Sequence, residues 1–240
     1  MEKTVPDPGA ENPLLIPLIQ TIVHGDTVKC SKLLETSPSL ACQCLVAGAT
    51  RKVATDFYFK EIEHYLVAGD TPLHAAAAGY RSTIAQQLLH KKAKVCARNR
   101  RGAEPLHYAA DGGPGLRTWN PRAQVEMIIL LTEAGADLNA LDKSGVAPLH
   151  RAVRQRCSDA VEALLHSGAD IRLKNKNGST PLHLAVQDTG RGSSGQPESR
   201  ACQRVIIQLL LKAGGDPEEQ DWFGKTVRQC ARSDWIREML

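Results

Sequence analysis

The sequence predicts an all-α fold made of repeated pairs of short helices, and three observations support this prediction. Glycine opens similar segments at four positions, and the first two and the last two openings are each 33 residues apart: Gly69, Gly102, Gly145 and Gly178. Pro-Leu-His follows every opening at the same offset. Apolar residues at helical spacing come next in each segment. Because one such unit cannot bury its apolar faces alone, neighbouring units must stack.

The unit at residues 145–177 shows why each part should fold as it does. Pro148 suits the first turn of a helix, because the N–H that it lacks would have no partner there. Gly168 is the left-handed residue that commonly ends a second helix. The polar run 170–177 then forms an extended finger that leads to the next unit. A turn near residues 156–158 separates the two helices, and the second helix presents one apolar stripe, made of Ala160, Val161, Leu164 and Leu165.

The same pattern divides the rest of the chain. We predict a flexible arm at residues 1–13, which carry three prolines, and a single domain over residues 14–240. Longer spacings between openings mark inserted segments, which loops tolerate well. The predicted parts of the domain are an N-terminal cap (14–44), an insertion (about 45–67), four units (69–101, 102–144, 145–177 and 178–223), insertions inside the second and fourth units (about 111–121 and 188–201) and a C-terminal cap (224–240).

The opening motif points to a known family. Thr-Pro-Leu-His stands at residues 71–74 and 180–183, and Glu104 and Ala147 replace its threonine in the two units between them. Together with the period, this motif resembles the ankyrin repeat family. The resemblance implies a solenoid of helix-turn-helix units with β-hairpin-like fingers, capped at both ends. It also implies a concave groove, lined by fingers and first helices, that binds proteins. It implies no catalysis, so we predict no enzyme activity, cofactor or metal.

Composition narrows the functional classes. The net charge of +4 is mild, so it favours an acidic partner but not nucleic acid, which needs a continuous basic stripe. The seven cysteines include no Cys-x-x-Cys pair, and we interpret them as reduced thiols. The apolar run at residues 14–23 is too short for a membrane span and shows no secretion signal. We therefore expect a cytoplasmic monomer without membrane contact. If the protein is an effector, it would act in the cytosol or nucleus of a host cell.

Four histidines occupy one position of the repeat, namely His74, His107, His150 and His183. Whole repeats separate them, so they cannot converge on a metal ion. Buried polar groups find hydrogen-bond partners. We predict that each ring bonds the backbone of its own finger.

The first insertion leaves an alternative function open. It holds residue types that serve acid–base catalysis or metal binding, namely Asp56, Glu61, Glu63 and His64. No second motif is present to meet them. An enzyme or metal-binding protein with its site at residues 45–67 is therefore the alternative to a protein-binding scaffold.

The fingers and first helices supply the candidate binding residues. Basic side chains outnumber acidic ones there, so we expect the partner to be a protein with an acidic surface or a phosphopeptide. Exposed aromatic residues add interface anchors, which are often Trp or Tyr. The candidates on this groove are Arg100, Arg101, Lys143, Val146, Gln155, Lys174, Lys176, Trp222 and Phe223.

The two later insertions predict a more specific site. They fall at the same turn in units two apart, and neighbouring helices lie about 10 Å apart, so two walls about 20 Å apart would flank a notch. Arginine forks match carboxylate and phosphate groups, so an acidic or phosphorylated segment would enter it. The floor would carry Arg151, Arg154 and Arg156, one wall Arg117, Trp119 and Arg122, and the other wall Arg191 and Arg200.

Overall fold

A computed structural model describes residues 12–50, 55–187 and 197–240. Within these ranges the chain forms twelve α-helices, two 3-10 turns at Pro38–Cys42 and Thr55–Phe57, and one antiparallel pair of strands. The strands are β1 (Tyr58–Phe59) and β2 (His64–Tyr65), with Tyr58 opposite Tyr65. The helices are α1 (Leu15–His24), α2 (Thr27–Thr36), α3 (Pro72–Ala78), α4 (Ser82–His90), α5 (Pro105–Ala109), α6 (Pro121–Glu133), α7 (Pro148–Arg154), α8 (Ser158–His166), α9 (Pro181–Ala185), α10 (Pro197–Lys212), α11 (Val227–Cys230) and α12 (Asp234–Arg237).

The helices pack in two rows. In one row α1, α3, α5, α7, α9 and α11 each contact the next member, and in the other row α2, α4, α6, α8 and α10 do the same. The equivalent leucines Leu73, Leu106 and Leu149 are buried in the first row, and Ile84 and Val161 are buried in the second. Burying one such side chain contributes roughly 1.5–3 kcal/mol. Each unit is therefore stabilised largely by its neighbours, in agreement with the predicted all-α repeat fold.

The predicted helix starts are confirmed. Proline is the first residue of α3, α5, α7 and α9. The left-handed residue after the second helix is Gly168 in one unit, with φ 97°, but Lys92 in another, with φ 67°. A side chain in this conformation costs about 1–2 kcal/mol relative to the right-handed region. Lys92 thus adopts the left-handed backbone conformation that glycine adopts in the other unit, at this energetic cost.

The fingers are turns joined in a row by backbone hydrogen bonds. Inside one finger, the N–H of Asp142 donates to Val146 O at 3.0 Å. Between fingers, Lys143 N–H donates to Arg101 O at 2.8 Å and Lys176 N–H donates to Ser144 O at 3.0 Å. The described fingers contain a single isolated bridge, between Gln220 and Thr226, and the paired strands lie in the first insertion. The fingers thus form a continuous hydrogen-bonded edge without regular hairpin strands.

The recurring histidines link one unit to the next. The Nδ1 atom of His150 accepts the N–H of Ala147 in its own unit at 3.2 Å, and its Nε2 atom lies 3.2 Å from Ser179 O in the following unit. Because Nδ1 accepts, the proton is on Nε2, which donates to that carbonyl. His74, His107 and His183 make the same two contacts. The prediction named a bond to the ring's own finger and did not include this bond to the following unit.

A buried carboxylate joins the first two complete units. Asp70 is fully buried, and its oxygens accept the Tyr108 hydroxyl at 2.8 Å and the Asn99 amide at 2.8 Å. The backbone N–H of Val67 donates to the same carboxylate at 2.6 Å. An unpaired buried carboxylate would be very unfavourable, and these three donors satisfy it. The network fixes the ring of Tyr108, which faces the concave side.

Candidate functional site

Three adjoining cavities form one groove along the fingers and the first helices. The first two share Arg101, Asp111, Arg151 and Gln155, and the second and third share Ser144, Val146 and Arg154. Their volumes are about 410, 570 and 480 Å³. Cavities of this size admit several side chains. The groove therefore has room for a peptide segment.

Four of the cations that line this groove have no acidic partner among the described residues. Arg101, Lys143 and Lys176 are exposed and Arg154 is half-buried. In the described part of the chain none of the four takes part in an ion pair. We call these four residues the basic groove. Its charge is available to an anionic ligand because none of the described carboxylates is ion-paired with it.

Arg151 and Gln155, both predicted to bind the partner, line the groove and also hold the loop that follows α5. The Arg151 guanidinium donates to Asp111 Oδ2 at 3.1 Å and to Asp142 Oδ2 at 3.2 Å. The Gln155 amide donates to Asp111 Oδ1 at 2.6 Å. Burial alone would raise the pKa of Asp111, but the hydrogen bond from His64 and the charge of Arg151 outweigh it and hold that pKa below its ordinary value. Arg151 thus neutralises Asp111 and Asp142 within the groove.

Three further predicted residues are occupied within the fold. Arg156 is 2% exposed, and its guanidinium donates to Ala185 O at 3.1 Å and to Gln187 O at 2.5 Å. Val146 is buried at the groove wall. Lys174 donates to Gln220 O at 2.9 Å and pairs with Glu219. These contacts hold the three side chains between units, and Val146 and Arg156 also line the third cavity, so their part in partner binding stays a prediction.

Trp119 and Arg122 lie apart from the groove. The indole N–H of Trp119 donates to Gln124 Oε1 at 2.9 Å, and Arg122 pairs with Glu126 along α6 at 3.1 Å. Neither residue lines the three cavities. Arg200, predicted for the second wall, is exposed near the start of α10. Arg191, the other predicted member of that wall, falls outside the described residues. The three residues of the predicted floor each line at least one groove cavity, namely Arg151, Arg154 and Arg156.

Arg100, the remaining basic candidate, is exposed and is a fifth cation of the groove that forms no ion pair among the described residues. Its guanidinium donates to the backbone carbonyl of Ala49 in the first insertion. It lines the second cavity together with Lys143. Arg100 therefore ties the insertion to the finger row and contributes positive charge at the edge of the basic groove.

The first insertion packs against the second one. The Glu63 carboxylate accepts the N–H of Thr118 at 3.0 Å and its hydroxyl at 3.1 Å, and the N–H bond lowers the pKa of Glu63. His64 Nε2 lies 3.7 Å from Asp111 Oδ2, whereas Glu61 pairs with His24 at 3.5 Å. The acids and the histidine of the alternative site therefore face different partners. Among the described residues no group of three or more His, Cys, Asp or Glu is placed to hold a metal ion.

The last finger presents two exposed aromatic rings, Trp222 at 65% and Phe223 at 74% exposure. The Asp221 carboxylate accepts the N–H of Phe223 at 2.9 Å and that of Lys225 at 3.0 Å, which fixes the turn. Phe223 also lines a further cavity beyond the third. We call Trp222 and Phe223 the aromatic tip. It lies next to Lys176 in the finger row, since Trp222 N–H donates to Asn177 O at 3.1 Å.

Comparison with known families agrees with this geometry. A family model described as "Ankyrin repeat" matches residues 68–100 and 177–222, and a model described as "Ankyrin repeats (many copies)" matches residues 130–185. Together these segments cover more than half of the chain. No curated protein matches the chain. In the ranges that the structure describes, no helix is both long enough and apolar enough to cross a membrane.

Proposed function

The chain belongs to the ankyrin repeat family, whose repeats generally mediate protein–protein interaction, and from this we propose that it is a non-catalytic adaptor. Its basic groove binds an acidic segment of a protein partner through carboxylate or phosphate groups. The observation that supports this proposal is the contrast between paired and unpaired charge in one groove. Arg151 neutralises Asp111 and Asp142, while Arg101, Lys143, Arg154 and Lys176 form no ion pair in the part of the chain that the structure describes.

The same row of fingers favours a linear segment over a small ligand. The basic residues Arg101, Lys143 and Lys176 lie on three successive fingers that hydrogen-bond to one another. Arg101 and Lys143 line the second cavity and Lys176 lines the third, so one small anion in either cavity would not contact all three charges. An extended acidic chain can meet them in turn, and its charges would speed association by electrostatic steering.

The proposal also covers the two ends of the stack and the oligomeric state. We propose that residues 14–44 and 224–240 act as caps and that the protein works as a cytoplasmic monomer. The exposed charged side chains of the last unit, Arg228, Arg232 and Arg237, support the capping role, since terminal repeats need a polar outer face.

Reversing three charges should abolish capture of the partner. In the triple variant Lys143→Glu, Arg154→Glu and Lys176→Glu, each acid repels the segment that the native cation attracts. We expect binding to weaken by about 100-fold or more, because each like-charge contact costs about 1 kcal/mol or more at an interface. Wild-type and variant chains are immobilised, and the proteins retained from a lysate are quantified by mass spectrometry.

The control reverses the same number of charges elsewhere. Lys32, Lys94 and Lys212 are exposed and line none of the groove cavities. Their triple glutamate variant has the same net charge as the groove variant and should retain the partner. Loss of the same proteins from both variants, or from neither, would show that net charge or another surface governs binding.

A further inference from the structure

The last finger carries different side chains from the other fingers at two equivalent positions. The second residue before each finger glycine is basic in three fingers and aromatic in the fourth, namely Arg100, Lys143, Lys176 and Trp222. The next residue is polar in the first three and aromatic in the fourth, namely Arg101, Ser144, Asn177 and Phe223. Because polar side chains are accommodated at the same place in the other fingers, the finger geometry does not require an aromatic pair.

The rings stand on a fixed backbone. Trp222 packs over Gly178 of the preceding finger, and Lys174 Nζ lies 4.8 Å from the centre of its ring. Phe223 has no such cover and is the most exposed large hydrophobic residue among those described. A pre-ordered aromatic ring loses little conformational entropy when a ligand covers it. Trp222 therefore supports the tip, and Phe223 is the ring that remains for a ligand.

We propose that the ligand of the basic groove carries an apolar side chain just beyond its acidic stretch and that Phe223 receives this side chain. The inference rests on the proposed function and specifies the chemistry of the ligand segment. The tip adjoins Lys176 through the Trp222–Asn177 hydrogen bond, so the groove passes directly from positive charge to exposed apolar surface. A purely acidic ligand would leave Phe223 in water.

The spacing of the ligand follows from the stack. Neighbouring units lie about 10 Å apart, and an extended chain rises about 3.3 Å per residue, so adjacent fingers meet ligand residues about three positions apart. Lys143 and Lys176 would each face an acid, and Phe223 would face the apolar residue. The ligand pattern is therefore acid-x-x-acid-x-x-apolar, with glutamate, aspartate or a phosphorylated residue as the acids.

A peptide selection tests this pattern. A random twelve-residue library is displayed on phage and selected on the immobilised full chain, and enriched peptides are synthesised and titrated by fluorescence anisotropy. Enriched sequences should carry acids spaced by about three positions and an apolar residue at the same distance beyond them. Phe223→Ser should weaken these peptides at least ten-fold, since burying an aromatic side chain contributes roughly 1.5–3 kcal/mol. Serine already occupies the equivalent position at Ser144, so this variant keeps a finger residue that the fold accepts.

The controls separate the inference from the proposed function. Val205→Ser removes an exposed apolar side chain from α10 and should leave the affinity unchanged. Acidic peptides that lack an apolar residue, or that bind Phe223→Ser and wild type equally, would overturn the inference alone. Peptides without acids, or with unchanged affinity for the Lys143, Arg154 and Lys176 triple variant, would overturn the proposed function as well. So would a labelled oligothymidylate that binds more tightly than the peptides and displaces them.

Discussion

Acidification from pH 7 to pH 4 should lower the free energy of unfolding by about 6 kcal/mol through two histidines alone. Burial lowers the pKa of His107 and of His150 from the ordinary 6.5 to about 4. Unfolded histidines therefore bind protons at a higher pH than folded ones, and stability that is complete above pH 6.5 is lost as the pH falls toward 4. Burial also lowers the pKa of His74 and His183, which act in the same direction. Denaturant unfolding followed by circular dichroism between pH 7.5 and 4 measures the loss.

The chain contains its own control for this prediction. In the last unit glutamine takes the place of the histidine, and Gln229 Oε1 accepts the N–H of Thr226 at 3.0 Å. His107→Gln together with His150→Gln should therefore fold, lose about 1 kcal/mol per site at pH 7 through the missing Nε2 bond, and unfold with a much weaker dependence on pH. An equally steep acid loss in this double variant would contradict the assignment. His166→Gln, on the exposed face of α8, should leave the profile of the wild type intact.

Asp70→Ala should destabilise the protein by about 3–5 kcal/mol. Removal of the carboxylate leaves the Tyr108 hydroxyl, one Asn99 N–H bond and the Val67 N–H without their acceptor in a buried place. Each unsatisfied buried donor costs about 1–3 kcal/mol. Urea denaturation at pH 7 gives the value.

Tyr108→Phe is the matched variant for this network. It removes one donor and keeps the ring that packs 5.1 Å from His74, so it should cost only about 1–2 kcal/mol. The double variant should cost less than the sum of the two single variants, because the hydroxyl no longer needs its acceptor. Strict additivity, or an Asp70→Ala protein as stable as the wild type, would show that the network contributes little.

The repeat could be predicted from the sequence because its signals are local. Proline at the first helical position and apolar residues at helical spacing depend only on neighbours in the chain, and the observed helices begin at Pro72, Pro105, Pro148 and Pro181. The tip aromatics Trp222 and Phe223 could also be placed on a finger, because they precede a finger glycine at the same offset as the basic residues. Their exposure agrees with that position.

The contacts between units could not be predicted in this way. Arg156 was predicted on the floor of the notch because it lies in the unit between the two insertions, yet its partners lie 29 and 31 residues further on, at Ala185 and Gln187. Asp111 meets His64 and Arg151, which come from the first insertion and from the next unit. Only the stacking of units brings these residues together, and a periodic pattern does not contain that information. The basic groove therefore contains fewer residues than were predicted to bind the partner.

Photo-crosslinking from single positions tests most directly whether the basic groove is the binding surface. A benzophenone side chain is introduced at Ser144, which lines two of the groove cavities, and separately at Glu162, which is exposed on α8 in the opposite row. The fold accepts an aromatic ring at the Ser144 position, since Phe223 stands at its equivalent. With the partner that the wild type retains and the groove triple variant loses, irradiation should give a covalent adduct from position 144 and none from position 162. An adduct from position 162 alone would place the partner on the other face and contradict the account.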